Sequence, residues 1–268
     1  MRLALIAAAA CAATPTLAGE SWDDISAALY GDQMLLAATG IIAIDAPYRT
    51  PDDSRAQMAA HVVAPSGTTV EEVTVVLDEN PMPVSAVFRF AEPIPRFYFD
   101  VTMRVNGPTP LHVVARTSDG RLFVAESFVK TTGQGACAAP PGVDPDIALL
   151  TLGEMEIALA ERTPLPPGEM RLASLAERLN TLDVAIDHPQ HSGMQMDQIT
   201  LLFTPMRYIE SLGIDLEGGE YVDMTGSISL SENPQVSLSI PSGSQSVDVT
   251  MTDTEGTVTE AHKDLTGY

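Results

Sequence analysis

The stretch Leu111-His112-Val113-Val114-Ala115-Arg116-Thr117-Ser118-Asp119-Gly120-Arg121-Leu122-Phe123-Val124-Ala125-Glu126-Ser127-Phe128-Val129 decides the fold class. Two runs with strand composition flank Ser118-Asp119-Gly120-Arg121, and Asp-Gly between such runs is a strong hairpin signal. Working outward, Val70–Leu77 is rich in β-branched residues and predicts a strand. Asn80-Pro81-Met82-Pro83 then breaks the chain. Ser85–Phe90 and Phe97–Val105 are further strand candidates, the second alternating through Phe97, Phe99, Val101, Met103 and Val105. Short strands at this spacing predict a β-sandwich over residues 40–130. Ahead of it, Ile25–Ala38 reads as a helix with Met34, Leu35 and Leu36 toward the core.

A second set of strand signals follows residue 169. Leu182–Ile186, Ile199–Phe203, Tyr208–Leu212, Ser227–Ser231, Val236–Ile240, Ser246–Thr252 and Gly256–Glu260 are its strand candidates. Gly218-Gly219 and Asp253-Thr254-Glu255 read as turns, and the tail after Lys263 as loose. The expectation is an all-β chain of two immunoglobulin-like sandwiches, residues 40–130 and 169–262, joined by a flexible linker. Residues 131–168 lie between them. They begin with the uncharged run Thr131-Thr132-Gly133-Gln134-Gly135-Ala136-Cys137-Ala138-Ala139-Pro140-Pro141-Gly142, which reads as a mobile arm. Ile147–Glu161 reads as either helix or strand.

Composition bounds the function. Hydrophobic residues make up 45% of 268, enough to bury a core. Lys and Arg total 14 against 36 Asp and Glu, a net charge of −22. That argues against nucleic acid, whose phosphates need a basic surface, and points to solubility or to a basic partner. Residues 1–18 read as a secretory signal peptide. A charged start and a short apolar run lead to Thr16 and Ala18, with cleavage before Gly19. A lipid anchor on Cys11 is the competing reading. The rest of the chain has no apolar run long enough to span a membrane, so no membrane insertion is expected.

With residues 1–18 removed, Cys137 is the remaining cysteine, and no internal disulfide can form. A lone thiol in an oxidising compartment is either buried or used. A carrier thiol needs a pliant backbone, small neighbours and exposure. Gly133 and Gly135 supply the first, and Ala136, Ala138 and Ala139 the second. The expected site is therefore an exposed Cys137 that holds cargo covalently. A packed loop cysteine is the plainer alternative. His188 and His191, with Gly193, form a candidate partner-facing loop. With Met194, Met196 and Asp197 nearby, the ligand types would suit a soft copper site, but such residues more often form a strand-end loop with methionine filling core gaps, so neither metal nor cofactor is expected. Phosphate-loop, dinucleotide and Gly-x-Ser-x-Gly motifs are missing, and no catalytic residue is assigned. One enzyme reading survives, a Cys137 nucleophile with His188 or His191 as base.

Two segments resemble a known pair of proteins. Ser118–Glu126, Val129-Lys130-Thr131 and Cys137, with Asn80-Pro81 and Ala86-Val87-Phe88, are similar to SoxY, the sulfur-oxidation carrier. His188-Pro189-Gln190-His191-Ser192-Gly193-Met194 resembles the His-Pro-x-x-x-Gly stretch of SoxZ, its partner. Tyr208-Ile209, Gly226–Ser229, Ser231-Glu232-Asn233-Pro234 and Val247–Thr252 follow in SoxZ order. The chain thus resembles the fused SoxYZ-like carriers associated with quinoprotein dehydrogenases. The resemblance implies two immunoglobulin-like sandwiches, a periplasmic location and a sulfur-containing intermediate on Cys137. It also implies redox partners from thiosulfate oxidation or quinoprotein dehydrogenase systems. One departure is plain. The SoxY arm ends its chain with glycine on both sides of the cysteine. Cys137 is internal, lies between two alanines and is tethered at both ends.

Overall fold

The computed structural model describes residues 20–133, 135–140, 142, 145–162, 179–197 and 200–265. The expected signal peptide, Cys11 and the whole 163–178 connection lie outside the described residues. The first half contains helix α1 (Glu20–Tyr30) and eight strands: β1 (Leu35–Ala37), β2 (Ile42–Asp45), β3 (Ala56–Val63), β4 (Val70–Leu77), β5 (Val84–Ile94), β6 (Arg96–Met103), β7 (Thr109–Thr117) and β8 (Leu122–Val129). A 3-10 turn (Ala136–Ala138) and the short α2 (Pro145–Ala148) follow. The second half contains β9 (Met155–Arg162), β10 (Leu179–Ile186), β11 (Ile209–Leu216), β12 (Gly219–Thr225), β13 (Gln235–Ile240), β14 (Ser246–Asp253) and β15 (Val258–Asp264).

Each half is an immunoglobulin-like sandwich, and both sheets run through both halves. The larger sheet has the order β1-β8-β7-β4-β5-β12-β11-β14-β15, the smaller one β2-β3-β6-β13-β10-β9. The halves therefore meet edge to edge twice. β5 pairs antiparallel with β12, from Val87↔Thr225 to Phe90↔Val222, and β6 pairs with β13 through Phe99↔Leu238 and Val101↔Val236. Sequence reading expected two sandwiches joined through a linker, whereas strand pairing itself unites them. Each of these four strands would otherwise present a row of unpaired backbone groups. The core is continuous across the seam. Phe88, Phe90, Phe97 and Phe99 of the first half share one buried cluster with Leu212, Ile214 and Leu238 of the second. The aromatics interlock at the seam, with Phe88 stacked on Phe99 at 4.9 Å and Phe90 edge-on to Phe97 at 4.7 Å.

Three expectations change. The predicted helix 25–38 ends at Tyr30, where the Gly31 N–H bonds the Ala27 carbonyl and Gly31 takes a φ of 59°. Leu35–Ala37 then pairs parallel with β8, and Met34 is exposed. Ser227–Ser231 forms no strand, since its buried hydroxyls engage the edges of neighbouring strands: Ser227 Oγ donates to the Ser85 carbonyl of β5, and Ser231 Oγ shares a hydrogen bond with Thr102 of β6. Of the tail beyond Lys263, the described residues are tied down: Asp264 ends β15, and Leu265 is buried with its N–H on the Gln245 carbonyl. Ile147–Glu161 resolves into α2 and then β9. None of the helices among the described residues is long and apolar enough to cross a membrane.

Candidate functional site at the junction of the halves

The segment leaving β8 crosses to the second half. Lys130 is fixed by backbone hydrogen bonds to Tyr48 and Thr50. The Asp53 carboxylate accepts from the Thr132 N–H at 2.9 Å and from its hydroxyl at 2.5 Å. Gly133 and Gly135, assigned to arm flexibility, take φ values of 84° and 71°. These lie in the left-handed region, which glycine reaches without cost. They turn the chain into the Ala136–Ala138 turn, closed by the Ala138 N–H to the Gly135 carbonyl at 3.0 Å.

That turn is docked. Cys137 is 0% exposed and Ala136 is buried beside it. The Ser192 hydroxyl, from the second half, donates to the Cys137 carbonyl. Further on, the Gly142 N–H donates to the Glu232 carboxylate at 2.8 Å. The expected exposed thiol is thus corrected to a buried one. The small uncharged residues that read as a free arm let the backbone fit closely into the seam. Burial pushes the Cys137 thiol up to about 11, against the opposing pull of Arg104. Among the described residues no side chain hydrogen-bonds its sulfur, so the Cys–His enzyme reading has no base in place.

Arg104 is the residue that sequence reading missed. It follows β6, is 3% exposed, and its Nη1 donates to the Gln190 carbonyl across the junction. Its backbone is held rigidly. The Arg104 N–H bonds the Ser229 carbonyl at 2.7 Å, and its carbonyl accepts from Asn80 Nδ2 at 2.9 Å. Asn80 also donates to Ser229 Oγ and accepts from the Asn106 N–H, both at 2.9 Å. Asn80-Pro81 is therefore a strut under Arg104 rather than a simple break. Beside the turn lies a cleft of about 300 Å³ lined by Arg55, Arg104, Ala136, Ala139, Gln195 and Glu232.

The candidate partner-facing loop places its histidines inward. His188 is buried. Its Nδ1 accepts the Gln190 N–H at 3.1 Å, and its Nε2 faces Asp253 at 3.4 Å. Arg207 Nε donates to the same carboxylate at 2.8 Å. Burial drives His188 down to about 4, only partly offset by Asp253. His191 is also buried, and burial followed by the charge of Arg104 lowers its pKa. Gly193 has a φ of 80°, and a Cβ there would stand 3.2 Å from that of Met206. The exposed part of this loop lies further on, at Leu201, Leu202 and Phe203, each more than 60% exposed. Residues 200–203 form a turn and bridge, not the strand expected from Ile199–Phe203. Among the described residues no three His, Cys, Asp or Glu side chains cluster closely enough to hold a metal ion.

The chain matches two family descriptions in tandem: sulfur oxidation protein SoxY over residues 26–137 and sulphur oxidation protein SoxZ over residues 170–264. Among solved structures it is similar to the sulfur carrier protein SoxY from Chlorobium limicola f thiosulfatophilum. That match has 23% identity and a TM-score of 0.34, covering 42% of this chain and 97% of that one. It is also similar to a superoxide reductase (neelaredoxin) from Ignicoccus hospitalis, at 18% identity and a TM-score of 0.28, covering 34% of this chain and 80% of that one. No curated protein matches the chain in sequence.

Proposed function

Because the chain belongs to the SoxY and SoxZ sulfur-oxidation carrier family, with both domains in one polypeptide, we propose that it is an exported, periplasmic carrier that holds a sulfur-containing intermediate covalently on Cys137 and presents it to redox enzymes. The observation that carries this reading is the position of Cys137. It is the last residue of the SoxY match, on a turn made of small residues at the seam with the SoxZ half. Loading by sulfane-sulfur exchange needs no external oxidant. The Cys137 thiolate attacks the outer sulfur of a donor persulfide, an S–S bond forms, and the donor thiolate leaves with the electron pair. The reactive species is the thiolate, which burial suppresses, so the docked turn is a closed state that must lift for loading. The partner enzyme supplies activation. The chain itself is a carrier and not a catalyst, with sulfur-oxidation or quinoprotein dehydrogenase proteins as its partners.

A second reading is favoured by the burial of Cys137 together with the exposed Leu201-Leu202-Phe203 tip. In it the chain is an accessory module for a quinoprotein dehydrogenase, with no covalent cargo. A deletion strain complemented with Cys137→Ser separates the two. The carrier reading predicts loss of sulfur-compound oxidation although the variant melts like the wild type. Full rescue by the Ser variant would establish the accessory role instead.

A further inference from the structure

The cleft beside Cys137 contains a charge that the fold leaves partly unused. Arg104 is almost wholly buried, yet its bond to the Gln190 carbonyl is the one hydrogen bond of its guanidinium among the described residues. No carboxylate among them lies within ion-pair distance of it. Glu232 is near enough to favour its charge, but that carboxylate accepts the Gly142 N–H. Asp52, the other acid on the cleft wall, accepts from the Ser54 N–H at 2.9 Å and from its hydroxyl at 2.6 Å. An unpaired buried cation is strongly destabilising, and a polar cleft is where such a charge meets a counter-ion.

The other donors on the wall agree. Arg55 directs Nη1 to the carbonyls of Glu232 and Asn233, at 2.8 and 3.0 Å, and spends no donor there on a carboxylate. Gln195 accepts the Ser192 N–H on its Oε1, which leaves its amide NH2 to donate. Ala136 and Ala139 leave room. A guanidinium fork pairs two parallel N–H groups with two oxygens of a tetrahedral anion.

We infer that this cleft is a subsite for a small tetrahedral oxyanion, held by Arg104 with Arg55 and Gln195. Such an oxyanion arrives either free or as the anionic end of a group already attached to Cys137. The attached source rests on the carrier reading and the free source does not.

Calorimetric titration of the full chain with inorganic sulfate, against chloride at matched ionic strength, tests the free source. Saturable binding that is equal in wild type and Cys137→Ser, and weakened about tenfold in Arg104→Gln, is the expected result. Arg55→Gln, which leaves the buried residues in place, serves if Arg104→Gln does not fold, and should weaken binding several-fold. The attached source is read with two disulfide adducts on Cys137, one ending in a sulfonate and one in a neutral hydroxyl. Both are made with methanethiosulfonate reagents, which transfer the thio group and release methanesulfinate. Reduction of the sulfonate adduct should be slower in wild type than in Arg104→Gln, while the neutral adduct shows no such difference. Sulfate binding untouched by Arg104→Gln and Arg55→Gln marks an adventitious ion only. That result, or no saturable binding, together with equal reduction rates for both adducts, overturns the subsite. Sulfate binding that survives when Cys137→Ser rescues the deletion strain would retain the subsite and reject the carrier.

Discussion

Arg207 and Arg104 are two cations that both act on His191, and the fold treats them differently. Arg207 donates to Asp253 at 2.8 Å and to Thr257 Oγ1 at 2.8 Å. Asp253 in turn accepts the Glu255 and Thr257 N–H groups at 2.9 and 2.8 Å and faces His188. Burial works against the Asp253 carboxylate, but these donors outweigh it and hold its carboxyl below the usual range. This is a closed network that ties the β14–β15 hairpin to the His188 loop. Arg104 is more deeply buried and has one carbonyl and an open cleft. The closed network serves the fold. The open one sits where Cys137 does, and its missing partner marks the place where chemistry comes from outside.

The largest test of that contrast is Asp253→Ala. It leaves Arg207 and two backbone N–H groups without their acceptor, and urea unfolding should show a loss of about 3–5 kcal/mol. A loss no greater than that of Arg104→Gln would erase the distinction. The next effect is acid sensitivity. His188 is held neutral in the folded chain, down to about 4 from an ordinary 6.5. Its contribution is therefore complete above 6.5 and is lost as pH falls through 4. The difference amounts to about 3 kcal/mol, and His188→Gln should flatten that part of the stability profile.

Cys137 sharpens the open side of the comparison. A thiol raised from 9.0 to about 11 carries roughly a hundredfold less thiolate at pH 8. Alkylation of the native chain should be slower than that of the urea-unfolded chain by at least this factor. Equal rates would mean that the turn is not docked. The smallest effect is that of Ser192→Ala, which removes the hydroxyl bound to the Cys137 carbonyl. One such hydrogen bond is worth about 1 kcal/mol, so alkylation should accelerate about fivefold with little change in melting temperature.

Much of this was legible in the residues. The Asp119-Gly120 turn falls between β7 and β8, with Gly120 at a φ of 79°. The alternation at Phe97, Phe99, Val101 and Met103 marks the buried face of β6. Period-two patterning and turn chemistry are local, and local signals survive into the fold. Pairing partners are not local. Nothing in Val87–Phe90 names Tyr221–Thr225 as its neighbour, and β12 itself, with Gly219, Glu220 and Asp223 among its residues, lacks a strand composition. The site was half legible. Cys137 stands out by its singularity and its small neighbours, but the same composition suits a mobile arm and a tightly seated turn equally. What decides between them is Ser192 and Glu232, 55 and 95 residues further along. Arg104 carried a faint signal, a lone cation ending an apolar alternation, which becomes meaningful once Gln190 and Cys137 are seen around it.

Whether Cys137 carries sulfur is read from the intact mass of the protein purified from its native compartment, with and without a thiol reductant. A loaded carrier shows mass increments corresponding to added sulfur atoms that the reductant removes and that Cys137→Ser never shows. A wholly unmodified thiol in cells actively oxidising sulfur compounds would contradict the carrier reading.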